Sequence, residues 1–154
     1  MDKELLLKDE RWSIFHNTQT DSDFQKNIVP EFSLKSGVPQ DVQDNFKIIV
    51  KLLQFSYFEY EFITIALKQS VFTFELALHK KYKEINKKDF KGVLEKLIKW
   101  FVDNKYYSEK ELHLLDSIKY FRNHYAHPKM YEVSSPSFIE IIKEICQLIN
   151  RLYS

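Results

Sequence analysis

Glycine is nearly absent from this chain, with two in 154 residues, and proline occupies only four positions. That scarcity leaves no room for a glycine-rich phosphate loop and suits long helices joined by short connections. Cysteine occurs once. Cys146 lies in the apolar run Ile145-Cys146-Gln147-Leu148, so no disulfide can form within the chain and a buried, inert thiol is expected. No C-x-x-C or H-E-x-x-H pattern occurs, and His113, His124 and His127 lack a matching acidic or thiol set, so neither a metal nor a cofactor is expected. No apolar run approaches the length of a membrane span and no secretory h-region is evident; the expectation is a cytoplasmic protein that does not enter a membrane.

What is abundant is apolar and aromatic. The hydrophobic share is 44% and the aromatic share 16%, with thirteen Phe and nine Tyr. This is a folding composition, sufficient for one domain over 1–154 with a core of its own. Part of the aromatic surplus is expected to face a partner subunit. The net charge of +1 conceals an asymmetry: nine acidic and five basic side chains fall in 1–45, whereas eight lysines face Glu84, Asp89 and Glu95 in 80–99. Lys87, Lys88 and Lys91 are the weak candidates for polyanion binding, although lysine-rich helix faces are usually just solvated.

Periodicity predicts an all-α chain, an up-and-down bundle of four to five main helices plus a short N-terminal helix. Leu5, Leu6, Trp12 and Phe15 suggest an amphipathic helix over 2–16, and 17–40 reads as an irregular connection, leaving 41–154 as the bundle core. Val42, Phe46, Ile49, Val50 and Leu53 mark a helix to about Leu53. It continues, or breaks near Gln54–Ser56, into the longest and most apolar helix, roughly Tyr57 to Lys83, which is expected at the centre. Asn86 is taken as the N-cap of a helix reaching about Asn104. Ser108 and Glu111 form a capping box opening a helix from Glu109 to about Tyr125, and Ser135-Pro136 opens the last one.

Chemistry concentrates in Phe121-Arg122-Asn123-His124-Tyr125-Ala126-His127-Pro128. On an unbroken helix Arg122 and His127 would diverge by about 140°. Pro128 disfavours helical backbone at His127, so the helix is expected to stop between them and let both side chains converge on a small anion. The plain alternative is a cationic helix cap. Against it, Arg122 falls within the stripe Leu115, Ile118, Phe121 and Tyr125, where a charge needs a partner. Glu61, Thr64, Lys68, Glu75 and His79 form a polar line about 60° wide on the long helix. That line is either its one solvent edge or the source of the partner, through Glu75.

The run R-N-x-x-x-H-P late in a small helical chain resembles the motif of HEPN domains. This resemblance implies a metal-independent ribonuclease, in which two motifs meet across a homodimer, of the toxin–antitoxin or phage-defence type. Arg122 corresponds to the motif arginine, Asn123 to its polar follower and His127 to the motif histidine. His124 is a possible second proton carrier, Glu75 a support, and Lys129 a weak substrate contact. Glu-Leu-Ala-Leu-His-Lys-Lys-Tyr also looks like the acidic helix of some HEPN domains. In one branch, partnered with a nucleotidyltransferase antitoxin, a tyrosine follows the histidine by two. Lys129 takes that place here and Tyr131 comes later, which puts control by such an antitoxin in doubt. A silent adaptor or a sensor of a phosphorylated ligand stays open beside the nuclease.

Overall fold

The structure, a computed structural model, describes residues 7–126 and 134–154. Six α-helices and no strand occur among them: α1 (Asp21–Asn27), α2 (Gln40–Phe55), α3 (Phe62–Asn86), α4 (Leu94–Asp103), α5 (Leu112–Tyr125) and α6 (Ser137–Leu152). None is long and apolar enough to cross a membrane.

Helix α3 has 25 residues and touches α2, α4, α5 and α6. Its buried side chains run nearly all round, from Ile63, Ala66 and Leu67 to Phe74, Ala77 and Leu78, as expected of a central helix. Side-chain bonds fix the directions of its neighbours. Helix α2 runs antiparallel to it, since Asp41 pairs with Lys80 at 2.7 Å and Asn45 accepts from Gln69 at 2.9 Å. Helix α5 is also antiparallel, with Arg122 beside Glu75 and Lys68 over Tyr125. Helix α6 is parallel, with Ser134 at Thr64 and Tyr153 donating to the Ala77 carbonyl at 2.9 Å. The up-and-down bundle is therefore α2, α3, α5 and α6, with α4 packed across one end through Trp100 on Tyr82 at 5.0 Å.

The N-terminal region departs from its expected form. Leu5 and Leu6 lie outside the described residues, and the part near Trp12 is a 3-10 turn, Glu10–Ile14. It does more than cover the bundle. The Asp9 amide donates to the Tyr57 carbonyl at 2.9 Å, the Asp9 carboxylate accepts from the Tyr60 amide at 3.1 Å, and Trp12 Nε1 donates to the Ser56 carbonyl at 2.6 Å. Peptide groups freed where α2 breaks from α3 are satisfied by this segment, which is why the chain can turn there without glycine or proline. Helix α1 lies in the stretch read as irregular. A Thr20–Asp23 capping box starts it, and its fully buried Phe24 packs edge-on against Trp12 at 4.7 Å. Seven residues with one buried anchor are too few to show a helical period.

Asn86 is not an N-cap. It is the last residue of α3, and its side chain donates to the Tyr82 carbonyl at 3.1 Å. Lys87 follows with φ 57°, a left-handed C-cap filled by lysine where glycine is the common choice. Residues 88–93 are consequently a loop and α4 starts only at Leu94. The Ser108–Glu111 capping box forms as read, opening a short 3-10 turn, Glu109–Glu111, that feeds α5.

Candidate functional site

Helix α5 lays Leu115, Ile118 and Tyr125 onto the core, and Arg122 rides in the same stripe. Its charge meets Glu75, the second of the two roles open to the polar line. Arg122 Nε donates to Glu75 Oε2 at 3.1 Å and Nη2 to Oε1 at 3.5 Å, with the side chains 36% and 17% exposed. This two-pronged contact fixes the guanidinium plane, while Nη1 has no partner among the described residues and can face an anion. The pairing is with a carboxylate on another helix, not with a terminal carbonyl of α5, so the arginine is more than a cap.

The polar line on α3 is accordingly a seam, not only a wet edge. Thr64 is buried and bonds Ser134, Lys68 lies 5.1 Å from the Tyr125 ring, Glu75 holds Arg122, and His79 sits 6.1 Å from Phe90.

Beside the ion pair opens a cleft of about 500 Å³, lined by Glu75, Gly92, Val93, Leu94, Glu95, Lys119, Arg122 and Asn123. Three elements build it: the middle of α3, the start of α4 and the last turns of α5. Val93 supplies no side-chain cap to α4, so the positive end of that helix meets the cleft with Arg122 and Lys119. Lys119 is also tied to Asp116 at 2.6 Å. Two carboxylates and two cations thus share the lining, an arrangement that can seat an oxyanion on one side and accept hydrogen bonds from a ligand on the other.

Of the residues singled out in the sequence, Arg122, Asn123 and Glu75 come together here. His124 does not join them. It projects some 200° round α5 from Arg122, and its ring stacks on Tyr120 at 5.9 Å with its edge toward Tyr125 at 5.6 Å. His127, Lys129 and Tyr131 lie outside the described residues. Lys87 is turned back on α3, its Nζ donating to the Glu84 carbonyl at 2.8 Å. Lys88 and Lys91 line a second cleft of about 480 Å³ on the 88–93 loop, with Tyr82, Asp89 and Phe90. Lys119 and the 93–95 turn were missed in the sequence. The first was visible, since it precedes Arg122 by three on one helix face. The second was hidden by beginning α4 at Asn86.

No known family, curated protein or solved structure matches the chain. The site therefore rests on its own geometry.

Away from this cleft, Asp9, Glu59 and Glu61 bring carboxylate oxygens within 4.8 Å of one another. Arg11 sits among them, bonded to Asp9 at 2.6 Å and to Glu61, with Glu59 at 3.9 Å. Hydrogen bonds from Arg11 lower the Asp9 and Glu61 carboxyls to about 2, while a hydrogen bond with Glu61 raises that of Glu59. The guanidinium already supplies the cation that such a cluster attracts, and the group locks the N-terminal segment to the α2–α3 turn.

Proposed function

We propose that this chain is a metal-independent endoribonuclease of the HEPN type, acting as a homodimer in which two R-N-x-x-x-H motifs form one composite site, in a toxin–antitoxin or phage-defence setting. The observation that carries the reading is the Arg122 guanidinium, oriented by Glu75 at the mouth of a cleft it shares with Asn123 and Lys119. A nuclease of this kind needs a fixed cation where charge builds on the phosphorane, and a guanidinium held along one edge by a carboxylate presents its other edge for that purpose.

In the proposed reaction the ribose 2′-oxygen attacks phosphorus as its proton passes to a base, the bond to the 5′-oxygen breaks, and that oxygen takes a proton from an acid. A cyclic phosphate and a 5′-hydroxyl end result. His127 supplies one of these proton transfers, and the same residue of a second copy the other, since an imidazole titrates near neutral pH. Arg122 stabilises the charged intermediate and Asn123 orients the phosphate or the imidazole. A two-fold axis brings the pair together without a further histidine from one chain.

Incubating purified protein with total RNA, with and without a chelator, tests this. Chelator-resistant cleavage that Arg122→Ala and His127→Ala each abolish, with the dimer still folded, supports the assignment; unchanged cleavage by His127→Ala overturns it. The size of the cleft favours one alternative, a sensor of a single phosphorylated ligand. That reading predicts no cleavage and a ligand-induced rise in melting temperature that Arg122→Ala removes.

A further inference from the structure

The loop between α3 and α4 separates the Arg122 cleft from the second one by a single peptide, because Gly92 lines the first and Lys91 the second. Charge on this loop is not evenly cancelled. Asp89 is paired with Lys83 at 3.0 Å and Lys87 Nζ is spent on the Glu84 carbonyl at 2.8 Å. Lys88 and Lys91 are exposed and enter no ion pair among the described residues. Between them Phe90 stands as a partly buried wall, edge-on to Tyr82 at 5.0 Å. Its ring lies so close to the backbone that a Cβ at Gly92 would come within 3.0 Å of it. Glycine at 92 leaves room for the Phe90 ring, and the short loop that carries this ring and the two lysines runs directly into the residue lining the Arg122 cleft.

We propose that residues 88–92 are a second subsite for single-stranded RNA, where Lys88 and Lys91 hold the phosphates adjoining the one at Arg122 and Phe90 receives a base. It deepens the ribonuclease reading and rests on it for the identity of the strand. The chemistry is what a sequence-tolerant single-strand site requires, cations spaced along a backbone with an aromatic surface between them. A rigid duplex, whose bases are stacked inside, cannot use the aromatic wall.

The test is fluorescence anisotropy of a labelled 2′-O-methyl RNA decamer, which cannot be cleaved through its 2′-oxygen, titrated with the full-length protein at several salt concentrations. Each phosphate contact on a single strand contributes about 0.7 to the slope of log K against log salt, so Lys88→Gln/Lys91→Gln should flatten it by about 1.4. The ratio of wild-type to variant affinity should then grow about sevenfold on going from 200 to 50 mM salt. Lys51→Gln, an exposed lysine at the far end of the antiparallel α2, should match the wild type. A slope unchanged in the double variant, equal losses from Lys51→Gln, duplex bound as well as single strand, or no binding by the wild type each overturns the subsite. Because the probe reports binding alone, slope loss without any RNA cleavage by the wild type keeps the subsite and refutes the nuclease.

Discussion

Removing Glu75 isolates the interaction on which the candidate site depends. An exposed ion pair contributes about 0.2–1 kcal/mol, and losing one partner of a fully buried pair costs about 3–5 kcal/mol. Here the acid is 17% exposed and the guanidinium 36%, so solvent screens the pair substantially and the lower range governs. Two hydrogen bonds accompany the charge contact. We expect Glu75→Ala to destabilise the protein by about 1–2 kcal/mol, which for a chain of this length lowers Tm by about 2–8 °C. Arg122→Ala should cost as much or more, since it removes the counter-charge of the less exposed of the two groups. Urea denaturation of both single variants and of the double variant closes a thermodynamic cycle. The coupling should be about 1 kcal/mol and should shrink in 1 M salt. A coupling below about 0.3 kcal/mol would mean that Glu75 does not hold Arg122 and that the guanidinium is not preset.

Three further outcomes are expected. Trp12→Ala should cost about 3–5 kcal/mol, because the ring is fully buried and its Nε1 carries the contact to Ser56; a Tm within about 2 °C of the wild type would show that the N-terminal segment is dispensable. The Asp9 carboxyl lies near 2 in the fold against an ordinary 3.8, so its contribution is present above about pH 5 and disappears as pH falls toward 2. After allowance for an Arg11 side chain 46% exposed, it amounts to about 1 kcal/mol. Wild type should therefore exceed Asp9→Asn in urea midpoint at pH 6 and converge with it at pH 2; a gap that widens on acidification would refute the assignment. Burial pushes the Cys146 thiol up to about 11, so a thiol reagent at pH 8 should label it only as fast as the protein opens. Immediate stoichiometric labelling of native protein would contradict its placement.

The bundle helices were legible because each carries enough apolar residues to show its period. Helix α6 repeats Ile142, Ile145, Ile149 and Leu152 on its buried face. The capping box before α5 was equally plain, since Ser108 and Glu111 exchange their bonds within one turn. Short or ambiguous local signals did not mark the element boundaries. Asn86 looked like a helix start, but it was already spent inside α3 and Lys87 had taken the left-handed turn.

Local sequence determined the stripe on α5 and the presence within it of an arginine that needed a counter-charge. It offered Glu75 as one of two roles for the polar line on the long helix but could not choose between them, because Glu75 and Arg122 are 47 residues apart and meet only once α3 and α5 pack antiparallel. Nor could it place the turn between α2 and α3, whose free peptide groups are capped by Asp9 and Trp12 from a distant segment. Helical period, capping and composition are short-range properties written within a few turns of chain. The cleft beside Arg122 is a property of the space left where three helices meet, and only tertiary packing sets that space.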